Sequence, residues 1–369
     1  MKRNLIFLLT FVIALLSFVG CKPKEDNKAS EATQNEEAKT EESKEAEEKP
    51  EESKEAEEKT EEKTDDTRKV FLTAEEAKQL LDSKPEKLAV AEVTWGEAKD
   101  SKDYLTAHIK GAIHINTDTI EEGPVWNYRS ADEVKKSLEN YGITKDTTVL
   151  LYGPDTGVDR VALCYLWAGV EKVYIINGGL EAWKEAGYET ESTENTAVAV
   201  NDFGAEVPAH PEYILSLDQV KEKLADPNFK LVSIRSEGEW LGETSGYSYI
   251  PKAGEPKGAV WGKSGEGNSG MQFYVDDKNK NKDFSEIEKM WKEQGFSTEN
   301  ELSFYCGTGW RAALPWLMCY ERNIPATLFD GGWNEWQMND DLDVQVGDPK
   351  SDACKIEKVK DLPNDKALK

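Results

Sequence analysis

The residues best suited to covalent chemistry are Cys306-Gly307-Thr308-Gly309-Trp310-Arg311. A cysteine attacks as its thiolate, so its surroundings decide whether it reacts. Gly307 and Gly309 let the backbone curl tightly, with positive φ where needed. Loop amides can then point inward as an anion-binding nest. A helix that starts after the loop adds partial positive charge. Both effects favour the thiolate of Cys306. Arg311 brings a permanent planar cation suited to an oxyanion. The pattern predicts a pocket for an anion with an electrophilic or transferable atom. Cys306 would attack it, and Gly307, Thr308, Gly309, Trp310 and Arg311 would bind it.

The elements that position this loop are legible on either side of it. The apolar run Glu301 to Tyr305 leads straight into the cysteine, and a helical segment, Ala312 to Met318, follows. Similar short runs occur at Leu88 to Val93, Thr148 to Tyr152, Lys172 to Ile176, Lys230 to Ile234 and Ala326 to Phe329. Runs this apolar suit strands buried on both faces of a parallel sheet. Helical signals alternate with them. Thr73-Ala74-Glu75-Glu76 is a capping box. Ala131 to Tyr141 and Ser285 to Gln294 are amphipathic and stopped by Gly142 and Gly295. The alternation predicts α/β domains, each a mainly parallel sheet flanked by helices. Ligands in such sheets sit beyond the carboxyl ends of the strands, which is where Cys306 falls.

The chain also repeats itself. VYIINGGLEAW, Val173 to Trp183, aligns with ATLFDGGWNEW, Ala326 to Trp336, at an offset of 153. The same offset lays VLLYG, ending at Gly153, on LSFYC, ending at Cys306. Lys110-Gly111-Ala112-Ile113 resembles Lys257-Gly258-Ala259-Val260. Two homologous units result, 70–200 and 205–345, with a polar tail at 346–369. The first unit has Gly153 in the place of Cys306, and nothing from Gly153 to Arg160 is an obvious nucleophile. It is expected to be catalytically silent and to shape a cleft.

Ahead of these units lie two segments outside the fold. Lys2 and Arg3 precede the apolar run Leu5 to Val19, which ends in Phe18-Val19-Gly20-Cys21. Residues 1–20 read as a signal peptide, too short and wrongly flanked for a comfortable spanning helix. The residues around Cys21 resemble the lipobox of bacterial lipoproteins, which implies lipidation of Cys21 and attachment to a bacterial membrane outside the cytoplasm. A plain secretory signal or an uncleaved anchor is the alternative. Residues 21–69 read as a disordered tether. From 22 to 69 there are 19 acidic and 11 basic residues and no Val, Ile, Leu, Phe, Tyr or Trp. Such a segment cannot bury enough apolar area to offset its ordering entropy. Over the whole chain 46 Lys+Arg stand against 72 Asp+Glu, a net charge of −26, of which −20 belongs to residues 70–369. That balance argues against nucleic-acid binding.

With these residues in view, the sequence resembles the tandem-domain rhodanese family, the thiosulfate sulfurtransferases, and most closely its secreted members with a CGTGWR loop. Tyr104 and His108-Ile109-Lys110-Gly111-Ala112 match the family's early signature, and Phe329 to Trp336 match the late one. The resemblance covers nearly all of 70–340. It implies two rhodanese-like domains, no cofactor, and double displacement. The Cys306 thiolate takes the outer sulfur of thiosulfate, sulfite leaves, and a thiophilic acceptor (cyanide, a small thiol or a protein thiol) removes the sulfur from a Cys306 persulfide. Rhodanese-fold phosphatases and arsenate reductases place five residues between Cys and Arg; here four intervene. The different-class alternative is a non-enzymatic module that binds or senses persulfide.

Three departures from the family pattern stand out. Its D-x-R reads Ser233-Ile234-Arg235 here, and the cation usual four residues later is Glu239, which weakens the case for 3-mercaptopyruvate. Pro315 should bend or delay the helix after the loop. Arg235, Tyr249 and Trp261 are candidate pocket residues, with core packing or surface display the competing roles for the aromatics. Cys164 and Cys319 read as small buried hydrophobes, and the remaining odd cysteine, Cys354, lies in the tail. His108, His114 and His210 are scattered without metal spacing, so no metal site is expected. The stretch from Asp277 to Asp283 has oxygen ligands at EF-hand-like places, but its interleaved lysines, with Lys282 where a calcium loop requires Gly, make it read as an exposed loop entering a helix.

Overall fold

The computed structural model describes residues 68–369, so the signal, Cys21 and nearly all of the tether lie outside the described residues. Each repeat unit builds one five-stranded sheet in which all pairs are parallel. In the first unit the strands are β1 (Phe71–Leu72), β2 (Leu88–Thr94), β3 (Ile113–Asn116), β4 (Thr148–Tyr152) and β5 (Lys172–Ile176), in the order β1-β5-β4-β2-β3. The second has β6 (Ile214–Leu215), β7 (Phe229–Ser233), β8 (Val260–Trp261), β9 (Glu301–Tyr305) and β10 (Ala326–Phe329), in the order β6-β10-β9-β7-β8. The orders are identical, as the internal repeat requires. In each unit the strand that leads into the loop at Gly153 or Cys306 is central. All five residues of β4 and four of five in β9 are buried, which is why those runs carry no polar alternation.

The helices form for the local reasons seen in the sequence. In α1 (Ala74–Asp82) both bonds of the Thr73/Glu76 capping box are made. Helix α2 (Ala131–Asn140) is closed the same way by Ser130 and Glu133. Helix α3 (Gly157–Ala168) follows the Gly153 loop. Helix α4 (Phe284–Gln294) ends on Gly295 at φ +96°. Helix α5 (Trp310–Glu321) follows the cysteine loop, and α6 (Gly332–Trp336) follows β10. Helix α5 begins at Trp310 and continues through Pro315 without interruption, so the expected delay of the helix does not occur.

Helices α3 and α5 are buried almost all round and pack against each other. A helix apolar on every side needs cover on every side, and here each domain covers the other's. One continuous core therefore runs through both domains, including Val161, Cys164 and Leu166 on one side and Ala312, Trp316 and Cys319 on the other. This pairing sets the two loops side by side. Residues 346–369 are not a loose tail. Lys355–Lys358 pairs with Asp343–Val346, which pairs with Glu255–Pro256, in a small antiparallel sheet. Farther on, Leu368 N–H donates to the Tyr247 carbonyl at 3.0 Å.

Candidate active site

Cys306 stands immediately beyond the carboxyl end of β9, fully buried, with α5 starting four residues on. The Gly309 N–H donates to its Sγ at 3.2 Å. The loop carbonyls are turned the other way. Cys306 O accepts from Trp333 N–H at 2.8 Å and Gly307 O from Asn334 N–H at 3.0 Å. The Gly331-Gly332 turn at the start of α6 thus holds the loop from behind. Two glycines are required by close approach. A Cβ at Gly307 would lie 2.2 Å from the Tyr247 ring. At Gly309, where φ is +94°, it would lie 2.5 Å from Arg160 Nη1.

Arg311 does not present the free cation expected for a substrate oxyanion. Its Nη1 and Nη2 form a two-pronged ion pair with Glu239 at 2.8 and 2.9 Å, and Nη2 also meets the Tyr247 hydroxyl at 3.1 Å. Only its Nε is left without a partner. Arg235 is likewise withdrawn from the pocket. It is fully buried and donates to Glu255 (2.8 Å), Glu239 (3.2 Å), the Gly254 carbonyl (2.8 Å) and the Ser245 carbonyl (2.9 Å). The cause is the residue by which the sequence departs from the family pattern: Glu239 sits between the two guanidinium groups and ties both down. Burial pushes the Glu239 carboxyl up, but Arg311 and Arg235 outweigh it and hold it at about 2. Glu255 has one arginine and the Tyr305 hydroxyl as partners, and burial drives it up to about 7. Two guanidinium groups thus share Glu239 behind the loop, and Arg235 pairs with Glu255 besides.

The first domain reaches into the site. Trp310 Nε1 donates to Glu121 at 2.6 Å. Arg160 pairs with Glu121 at 3.0 Å and, across the domain boundary, with Asp330 at 2.6 Å. Asp330 also accepts from Tyr128 N–H at 2.9 Å, and the Asn334 side chain donates to the carbonyls of Pro124 and Val125. Burial raises the Glu121 carboxyl to about 7 despite Arg160 and Trp310. The first domain thus contributes two side chains beside the loop: Glu121 accepts from Trp310, and Arg160 pairs with Asp330. Sequence reading missed both residues. The only available signal was Asp330 in the late motif, a buried acid in need of a partner.

Of the aromatic candidates, Tyr249 does stand at the loop. It is half-exposed, hydrogen-bonds Thr308, and lies 5.5 Å from Tyr247 and 6.3 Å from Trp126 between ring centres. Tyr247 covers Gly307. Trp261 instead packs, stacking on Trp240 at 6.0 Å and donating to the Arg235 carbonyl at 2.9 Å. Cys164 and Cys319 are wholly buried, and burial pushes both thiols far up, away from reactivity. His108 is buried, with Nδ1 2.6 Å from the Tyr104 carbonyl. In the stretch before α4, Asp276 accepts the N–H groups of Lys278 and Lys280 in its own loop.

Two like α/β domains, one ending its central strand in a cysteine loop and the other in a glycine, define a tandem α/β protein. The family model for the rhodanese-like domain matches residues 73–186 and 216–339, and the chain belongs to that family. It is 39% identical over 271 residues to the thiosulfate sulfurtransferase YnjE of Escherichia coli, across 72% of this chain and 61% of that protein's length. A putative thiosulfate sulfurtransferase of Haloferax volcanii is 27% identical, across 64% of this chain and 82% of the relative. Among solved structures, YnjE superposes with a TM-score of 0.72 at 36% identity, covering 75% of this chain and 68% of that one. EanB, captured as a cysteine persulfide with ergothioneine, gives 0.72 at 31% identity, covering 76% and 71%.

Proposed function

We propose that the chain is a sulfurtransferase that moves the outer sulfur of thiosulfate to a thiophilic acceptor through a persulfide on Cys306. The observation that carries this reading is the cysteine at the end of β9 with the Gly309 N–H on its sulfur, in a loop whose carbonyls are bonded away behind it. In the first half-reaction the Cys306 thiolate forms an S–S bond to the outer sulfur. The S–S bond of thiosulfate breaks, and its electron pair leaves with sulfite. In the second, cyanide or a thiolate attacks the outer persulfide sulfur, and its electron pair returns to Cys306. Electrons and atoms balance without an oxidant, so no cofactor is called for. With Arg311 bound to Glu239, its charge acts through space on the loop. Contact with the sulfonate falls to loop amides and Thr308. The names of the relatives and the persulfide form of EanB support the chemistry. Lipidation at Cys21 and an extracytoplasmic, membrane-tethered location belong to the same proposal and rest on the leader sequence. A second reading, a persulfide-carrying or sensing module without turnover, is favoured by the complete burial of Cys306 beside Tyr247. Thiocyanate formation from thiosulfate and cyanide separates the two. The enzyme reading predicts turnover that disappears in Cys306→Ser. No thiocyanate from wild type, or equal amounts from the variant, overturns it.

A further inference from the structure

A large cavity lies among residues that do not include Cys306. It has a volume of about 890 Å³ and lies at the carboxyl end of the first sheet, around the Gly153 loop that corresponds to the cysteine loop. Its size falls within the range of small-molecule sites, about 300–1,000 Å³. Its chemistry is opposite to that of an anion pocket. Eight carboxylates line it against three lysines, Lys184, Lys278 and Lys280. Lys184 and Lys278 are already paired, with Glu181 and Glu185.

One of these carboxylates has no cation paired with it among the described residues. Asp159, in the first turn of α3, is 5% exposed and lines the cavity. Its one hydrogen bond comes from its own backbone N–H, and its charged neighbour is another acid, Asp155. Burial pushes the carboxyls of Asp159 and Asp155 up, and that of Glu92, on the same cavity, up to about 7. Burial holds such a carboxyl neutral while it has no cation beside it, and a cation arriving in the cavity would favour its ionised form. No three His, Cys, Asp or Glu side chains among the described residues converge closely enough to hold a metal. Leu180, Met271, Val275 and Leu314 supply apolar wall beside the acids.

We propose that this cavity is a second ligand site, separate from Cys306, for a small organic cation whose ammonium or guanidinium group pairs with Asp159 while its aliphatic stem lies on the apolar wall. The site adjoins the helix that follows the active loop, because Leu314 of α5 lines it.

The test uses the full chain and 1,4-diaminobutane, titrated by calorimetry at pH 8. Saturable binding is expected, weakened at least tenfold by Asp159→Asn and by Glu92→Gln, and unchanged in Cys306→Ser. Asp159→Asn keeps the side-chain shape and removes a buried carboxyl that no cation of the chain pairs with, so its melting temperature without ligand is expected to be no lower than wild type. The neutral 1,4-butanediol should not bind. Absence of binding up to about 10 mM, a range reaching weak millimolar affinities, overturns the proposal. So do equal binding of the diol and wild-type affinity in a folded Asp159→Asn. Because Cys306→Ser retains the site, failure here leaves the sulfur-transfer reading untouched, and failure of sulfur transfer leaves this one.

Discussion

Replacing Glu239 by Gln tests the electrostatic frame behind the cysteine loop. The substitution preserves shape and removes the one firmly ionised carboxylate between two buried guanidinium groups. Arg311 loses its carboxylate partner, and Arg235 keeps Glu255 as a carboxylate partner beside the Gly254 and Ser245 carbonyls. The Gln amide nitrogen would also direct N–H groups at donors that cannot accept. Breaking a buried pair from one side costs about 3–5 kcal/mol, because the remaining charge is left buried and uncompensated. Both arginines are affected, so the upper half of that range is expected. Urea unfolding of the chain, monitored by tryptophan fluorescence, measures it as a lower midpoint with an unchanged slope. Turnover should fall as well, because Arg311 anchors the first turn of α5 and the Tyr247 hydroxyl over the loop. A loss under about 1 kcal/mol, the range of an exposed pair, would refute the account of Glu239 as the group that fixes the two arginines.

Trp310→Phe keeps an aromatic side chain, though a smaller one, and deletes the indole N–H bond to Glu121; a loss of about 1–3 kcal/mol and a lower kcat are expected, since a buried acceptor is left unsatisfied. An unchanged kcat would show that the first domain's grip on the loop is irrelevant to turnover. The pH dependence of stability has a definite sign. Glu92, Glu121 and Glu255 have folded pKa values raised to about 7. The folded chain therefore holds more protons than the unfolded one between the ordinary glutamate range and neutrality, and stability falls as pH rises through that window. The melting temperature should be higher at pH 5.5 than at pH 8; the reverse order would contradict these shifts. Glu239 acts oppositely, but only below the ordinary glutamate range. Finally, the net charge of −20 on residues 70–369 opposes an anionic substrate, so raising ionic strength from low salt should lower KM for thiosulfate. A rise in KM would show that the local field of the cleft dominates.

How far the sequence reached depends on the range of the physics involved. Strands Thr148–Tyr152, Lys172–Ile176, Glu301–Tyr305 and Ala326–Phe329 were legible to the residue, because strands at the middle of a covered sheet read as short, mostly apolar runs. The capping box at Thr73 and the stop at Gly295 are local rules and were equally plain. The role of Arg311 was not. A cation in an anion-binding loop reads as a ligand group, and its true partner, Glu239, lies 72 residues away on another element. Glu121, 189 residues from Trp310, is hidden for the same reason. The 346–369 segment looked like a tail because its polar strand pairs at the edge of a small sheet and buries little apolar surface. Glu239 did stand out as a departure from the family pattern; what the missing cation had been replaced by, a carboxylate that neutralises two arginines, needed the packing.

The central claim is a covalent sulfur on one named atom. Intact-mass spectrometry of the chain after incubation with thiosulfate, followed by removal of excess reagent, reads it directly. The account predicts a gain of about 32 Da, one sulfur on the nucleophile, located to Cys306 by peptide mapping, absent from Cys306→Ser and discharged by cyanide. No gain in wild type, or a gain that persists in Cys306→Ser, would contradict it.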